Sequence, residues 1–402
     1  MTYFRKRFPC VRHAGPVVTY SPEYKSKIIM SSKISIKSLS YAELSERLAA
    51  TGLKGYRIDQ VFDWLYRKRA SSFDAMTNLP KEERQLLDSL FSLALVPVLR
   101  SEQSSDGTRK FLFGLDDGQS VESVLIPDED RLTLCISSQV GCSQACRFCL
   151  TGASGFTRNL SSGEILDQII TVERLLSEGG PQDDRRAAEH QADEKTQDGN
   201  VDRRITNIVL MGMGEPLANF AEVKKALEIM LSGQGMGISG RRVTLSTAGL
   251  VPEIEKLGRT GLRVGLAVSL NASTDEVRDE VMPVNRRYPL TELLGACRAY
   301  PLEPRRRITF EYVLLKNVND SPEDARRVAK LLRGIPCKVN LIPVNPFPGS
   351  AYERPTDDAV RRFQQVLLDR HIAAPVRSSR GRDISAACGQ LRGHASSPAR
   401  LE

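Results

Sequence analysis

Residues 137–152 read SSQVGCSQACRFCLTG, with Cys142, Cys146 and Cys149 at a C-x3-C-x2-C spacing just after an apolar run, LTLCIS at 132–137. A structural zinc site is closed by four ligands, typically in two C-x2-C pairs, and a cubane of four irons also needs four. No second pair is present, and the four histidines, His13, His190, His371 and His394, fall in the tails, in a polar insert or at a late helix. Three thiolates leave one position of a cluster open, and an open position is a catalytic feature because a substrate can occupy it. On spacing alone, a zinc or redox site stays the alternative.

Beyond this stretch the chain alternates. Strand-like runs at 132–137, 206–211, 242–246, 263–270, 307–315 and 337–344 are separated by helical patterns such as SGEILDQIITVERLLSE, NFAEVKKALEIMLS, PLTELLGACRAY and SPEDARRVAKLLRG. Strands alternating with helices predict a parallel sheet of βαβ units. Six units suit an α/β fold of the partial (β/α)6 barrel type, open on one side, with functional residues at the carboxyl ends of the strands. Upstream, residues 109–127 read as a hairpin with DDG in its turn, and apolar residues from Lys37 to about Leu95 recur at three- and four-residue steps. The expected organisation is an extension at 1–36, disordered or upstream of a true start at Met30, then a small helical domain at 37–100. A β-hairpin linker region at 101–131 leads to a barrel core at 132–393 and a tail at 394–402. Within the core, residues 178–204 are too polar to offset their ordering entropy and read as a flexible insert. The stretch GLKGYRIDQVFDWLYRKR fits a nucleic-acid module and an amphipathic helix packed on the core equally well.

Composition narrows the partners. The formal net charge of +8 favours a polyanion. No run of about 18 apolar residues exists to span a membrane, and the basic start lacks the apolar core of a secretory signal. Eight cysteines, three of them crowded together, do not look like a disulfide framework. The expected location is cytoplasmic.

The three cysteines, with Phe148 between the second and third, resemble the radical S-adenosylmethionine (SAM) superfamily, and MGMGEP at 211–216 looks like its glycine-rich turn. The pieces VESVLIP, TLCISSQVGCSQACRFC, GMGEPL, VTLSTAGLVP, SLNA, NLIPVNPFPGS and RGRDISAACGQL extend the resemblance, from about Lys37 to Gly393, to the 23S rRNA adenine C2-methyltransferase family. That resemblance implies a [4Fe–4S] cluster on Cys142, Cys146 and Cys149, with SAM on the open iron. It implies SAM contacts at Gly214, Glu215, Ser246, Ser269, Leu270, Asn271 and Asn345. Without it, Ser246 and Asn271 fit helix capping as well, and Glu122 would read as an outward strand glutamate.

The resemblance makes Cys388 a methyl carrier, Cys135 its resolving partner and Glu122 the general base. It also implies two SAM molecules per turnover. C2 of adenine is electron-poor and its proton is not acidic, so polar transfer fails where a carbon radical can add. One SAM methylates the Cys388 thiolate by displacement, and the other yields the radical that activates the methyl group. Attack of Cys135 on the Cys388 sulfur then frees the product and leaves a disulfide. The implied substrates are an adenosine in the peptidyl-transferase region of 23S rRNA and the adenosine 3′ to the anticodon of tRNAs. The partners are an electron donor such as flavodoxin or ferredoxin and no membrane, and the expected state is a monomer. A relative that methylates C8 of the same adenosine shares all these motifs. A non-enzymatic iron–sulfur RNA-binding protein would need neither Cys388 nor Cys135.

Overall fold

The computed structural model describes residues 17–19, 33–178 and 204–393. The expectations placed on the remainder of the extension, on nearly all of the 178–204 insert and on the tail, along with Cys10, His13, His190 and His394, lie outside the described residues.

Among the described residues fourteen strands follow in chain order: β1 (Val17–Thr19), β2 (Ile34–Ser35), β3 (Phe91–Ser92), β4 (Val98–Gln103), β5 (Arg109–Gly114), β6 (Ser120–Asp128), β7 (Arg131–Cys135), β8 (Gln139–Gly141), β9 (Phe156–Asn159), β10 (Asn207–Leu210), β11 (Val243–Thr247), β12 (Gly265–Ser269), β13 (Ile308–Leu314) and β14 (Cys337–Pro343). Ten of them form one sheet in the order β1-β4-β5-β6-β7-β10-β11-β12-β13-β14. The six strands expected of the barrel are β7 and β10–β14, all paired in parallel. The predicted hairpin is β5 and β6, antiparallel, with Gly118 at φ +79° and the Asp117 carboxylate accepting the Gln119 N–H at 3.0 Å in the turn. This hairpin is hydrogen-bonded into the main sheet through β6 and β7.

Leu134, Leu210, Leu245, Leu266, Val268, Phe310, Tyr312, Val339 and Leu341 are buried; within a strand they fall two residues apart and so share one face of the sheet. The covering helices run Ser162–Ser177, Phe220–Leu231, Val251–Arg259, Leu290–Ala299, Pro322–Leu331 and Asp357–Leu368. Two of them start at a capping box, Ser161 with Glu164 and Ser321 with Asp324, which satisfies first-turn N–H groups. The barrel does not close, since β14 ends the sheet. Its outer edge is covered instead by residues 373–377, with Val339 N–H on the Ala373 carbonyl at 2.9 Å and Arg377 N–H on the Leu341 carbonyl at 2.8 Å. That segment delivers the chain to the barrel mouth.

The N-terminal helices Tyr41–Ala49, Gly55–Tyr66 and Lys81–Leu90 pack through Leu44, Leu48, Ile58, Phe62, Leu65 and Leu87. They join the barrel at a buried ion pair. Lys37 is paired with Asp167 on the helix Ser162–Ser177 and donates to the Ala94 carbonyl at 3.1 Å. Burial pushes the Asp167 carboxyl up to about 6 and the Lys37 ammonium down, so each charge is kept by the other. Lys37→Met strands a buried carboxylate and is expected to cost about 3–5 kcal/mol in denaturant unfolding. Lys37→Met with Asp167→Leu should recover most of that loss; a double variant as unstable as the single one contradicts the account.

Candidate active site

The carboxyl ends of β10–β14 open into a cavity with about 950 Å³ of space between protein atoms, part of it open to solvent. Cys142, Cys146, Cys149, Gly214, Glu215, Ser246, Ser269, Asn271, Asn345 and Cys388 line it, and so come together as the sequence led one to expect. Leu270, Glu122 and Cys135 do not line it. The Leu270 side chain is fully buried in the core, and its N–H bonds the Glu311 carbonyl at 3.0 Å.

The cysteine loop leaves the sheet through the β8–β9 hairpin. Gly141, at φ +74°, must be glycine because a Cβ there would lie 1.9 Å from the Gly155 carbonyl oxygen. Cys142 N–H bonds that same oxygen at 2.7 Å. Cys149 N–H bonds the Cys146 carbonyl at 3.1 Å, and Arg147 N–H bonds Val281 at 3.0 Å. Burial pushes the Cys142 thiol up to about 12 and holds Cys146 and Cys149 above their ordinary range, so a metal must displace protons to bind here. Among the described residues no group of three or more His, Cys, Asp or Glu is arranged around a single metal ion. Three thiols spread round one cavity suit a polynuclear cluster, in which each iron takes its own thiolate.

The glycine-rich turn is pinned to the loop that follows β7. Met213 N–H donates to Ser137 Oγ at 2.8 Å, the Met213 carbonyl accepts Ser138 N–H at 2.8 Å, and Glu215 N–H donates to Gln139 Oε1 at 2.8 Å. The Glu215 carboxylate accepts Ala248 N–H at 2.6 Å and Leu217 N–H at 3.0 Å, which ties the turn to the end of β11. Burial nonetheless outweighs these donors and pushes it up to about 7. Asn271, at φ +55°, is buried at the cavity wall, where its side-chain oxygen accepts Val313 N–H at 2.7 Å.

Two polar atoms here have no partner: Asn345 Oδ1 and Glu311 Oε2, both buried on lining residues. Such atoms cost free energy unless a ligand satisfies them. They are what a polar cosubstrate such as SAM would meet, and so the residues present fit one.

Residues 389–393 clamp the cysteine loop. Leu150 N–H bonds the Gly389 carbonyl at 2.7 Å, and Thr151 Oγ1 bonds the Leu391 carbonyl at 2.7 Å. Glu122 Oε2 accepts Arg392 N–H at 2.8 Å, and its other oxygen lies 3.2 Å from Lys110 Nζ. Glu122 shares a sheet face with Cys135, since Val124, two residues on, is opposite Cys135 across β6 and β7. Cys135 is buried and its thiol is pushed up to about 12, first by burial and then by Cys388 beside it. Cys135 and Cys388 are both free thiols, so the implied disulfide is absent from this structure.

Sequence reasoning missed three groups. Glu311 is a buried acid within the apolar run of β13, a signal that could have been used. Arg377 lies in an irregular stretch that gives no signal, yet it lines the cavity, and Cys388 and Glu311 hold its guanidinium charged. Arg278, fully buried, donates to the carbonyls of Ala248 at 2.8 Å, Ser269 at 3.0 Å and Leu270 at 3.0 Å, fixing the ends of β11 and β12.

Residues 136–331 match the radical SAM superfamily, and residues 34–93 match the ribosomal RNA large subunit methyltransferase N-terminal domain. A protein named dual-specificity RNA methyltransferase RlmN from Geobacter sulfurreducens is 52% identical over 90% of this chain and 93% of its own. One of the same name from Pelobacter propionicus is 50% identical over 90% and 97%. The crystal structure of a radical SAM methyltransferase from Sphaerobacter thermophilus superposes with a TM-score of 0.80 at 46% identity, covering 90% of this chain and all of that one.

Gly214 tests the pinned turn. It has φ +99°, and a Cβ there would lie 2.5 Å from Gln139 Cβ and 2.8 Å from Gln139 N. Gly214→Ala should destabilise the protein by about 1–3 kcal/mol in thermal melts. Gly233→Ala, where a Cβ meets nothing within 4 Å, should stay within about 0.5 kcal/mol of wild type.

Proposed function

Because the chain belongs to the RlmN family of dual-specificity RNA methyltransferases, we propose that it methylates C2 of adenosine in the peptidyl-transferase centre of 23S rRNA and 3′ to the anticodon of tRNAs. The protein is a radical SAM methyltransferase with a [4Fe–4S] cluster and SAM as cofactors. Cys142, Cys146 and Cys149 hold the cluster, which when bound supplies the electron that cleaves SAM. Gly214, Glu215, Ser246, Ser269, Leu270, Asn271 and Asn345 bind SAM, Leu270 through its backbone.

Cys388 accepts a methyl group at sulfur, with S-adenosylhomocysteine leaving; that methyl group would then give one hydrogen atom to the 5′-deoxyadenosyl radical of a second SAM and add through its carbon to C2 of the target base. The observation that carries this reading is that Cys388 lines the same cavity as the three cluster thiols. Arg377 lines the cavity beside it and places a guanidinium next to the sulfur. Glu122, tied to the backbone just beyond the carrier, takes the C2 proton. Cys135 then attacks the Cys388 sulfur, forming a disulfide and releasing the methylated RNA. The base must leave its stack to reach this depth.

The helical domain at 37–100 contacts the RNA. Its support is Trp64 with Lys68 Nζ 4.2 Å from the ring centroid, and the exposed Tyr56 with the Arg57 guanidinium at 4.9 Å, since surface aromatics beside cations suit stacking on bases. The reading also includes a flavodoxin or ferredoxin as electron donor, a monomeric state and a cytoplasmic location. Among the described residues no helix is long and apolar enough to cross a membrane.

Cys135→Ala, loaded with cluster and purified without oxygen, should retain RNA covalently through Cys388. Nuclease digestion and nucleoside analysis of the trapped fragment identify the RNA and distinguish C2 from C8. RNA-free protein with an intact cluster would sink the assignment of the two cysteines.

A further inference from the structure

The rim of the barrel opposite the cavity carries a second groove. It lies where the first residues of β13 and β14 meet the C-terminal ends of the helices Pro322–Leu331 and Asp357–Leu368, and it encloses about 1350 Å³ of empty space. Arg307, Arg326, Lys330, Arg333 and Arg370 line it with His371, and no aspartate or glutamate does. All six are exposed. Arg326 is paired with Glu323 at 2.8 Å, and Arg370 gives one N–H to the Val366 carbonyl at 3.1 Å. Arg307, Lys330 and Arg333 make no ion pair with any described residue.

Cations at helix ends have a plain structural use, because each helix C-terminus carries about half a negative charge. Two such ends amount to roughly one charge, and the five lysine and arginine side chains far exceed it. A concentration of unpaired cations in a concave site repels itself unless an anion shares the space.

We propose that this groove binds the phosphate backbone of the RNA substrate at a point remote from the target adenosine. The inference rests on the reading of the enzyme given above. Four of the five cations are arginines, whose planar forks match phosphate oxygens. The large aliphatic residues that line the groove, Leu332, Ile335 and Ile372, are buried or half-buried, and no aromatic ring other than that of His371 lines it, so it offers a protein partner little apolar surface. A seven-residue strand separates it from the mouth, roughly 20 Å at the rise of a β-strand, so it faces away from the cluster and from any partner delivering electrons there. A folded RNA that places one base in the mouth is large enough to reach this rim, whereas a hairpin of about four base pairs, at about 3.4 Å per pair, is not.

The test uses full-length, cluster-loaded protein, wild type and Arg307→Glu with Arg333→Glu. Each is titrated over a salt series with a long 23S rRNA fragment and with a short hairpin carrying the target adenosine. The double variant should bind the long RNA about tenfold more weakly. Its plot of log affinity against log salt should flatten by about one for each phosphate contact removed. Binding and methylation of the hairpin should be unchanged.

Equal affinity and salt slope for the long RNA would overturn the inference. So would an equal loss on both RNAs, which reports net charge alone, or a loss that free inorganic phosphate reproduces by competition on the hairpin as well. If the charge reversal impairs folding, Arg307→Ala with Arg333→Ala should give a smaller loss confined to the long RNA. A wild type that binds neither RNA removes the functional reading itself, and this inference with it.

Discussion

The barrel mouth depends on a few hydrogen bonds between two stretches far apart in sequence. Gly389 and Leu391 lend their carbonyls to Leu150 and Thr151, and Glu122 takes the N–H of Arg392. Without these contacts the cysteine loop would have no lid, and Cys388 would have no fixed distance from the three thiols. Each neutral bond adds only about 1 kcal/mol net. The clamp therefore sets the geometry through several such bonds acting together rather than through any one of them.

The surroundings of that clamp are arranged to disfavour charge until ligands bring their own. Burial raises the thiols of Cys142, Cys146 and Cys149 and the acids Glu215 and Glu311. Asn345 Oδ1 and Glu311 Oε2 wait unpaired. The protein is stable despite these costs because they are confined to one end of a sheet whose remaining interior is apolar and close-packed. Arg278 makes the confinement workable. Its guanidinium satisfies three strand-end carbonyls that would otherwise face the same dry space.

Much of this was legible in the sequence. Six apolar runs spaced by amphipathic helices define the parallel barrel because both patterns follow from burial alone. The cysteine spacing and the glycine-rich turn locate its mouth because each demands special residues in consecutive positions. What escaped was produced by convergence. Arg377 gains its place from the segment that covers the edge of β14, and Arg278 from the way its helix leans on two strand ends, neither of which has a local pattern. The disulfide expected between Cys135 and Cys388 is absent: this structure has both thiols free. Leu270 is a lesser case of the same kind, its neighbours being legible as a group while the direction of its own side chain was not.

The clamp also has a direction in time. Thr151 and Leu391 are 240 positions apart, and the ribosome makes the first long before the second. A nascent chain thus has Cys142, Cys146 and Cys149, its glycine-rich turn and all six barrel strands before Cys388 and the residues beyond it leave the exit tunnel. The mouth is laid down open, and the segment that clamps it arrives last. Order of synthesis here separates the building of the mouth from its closing.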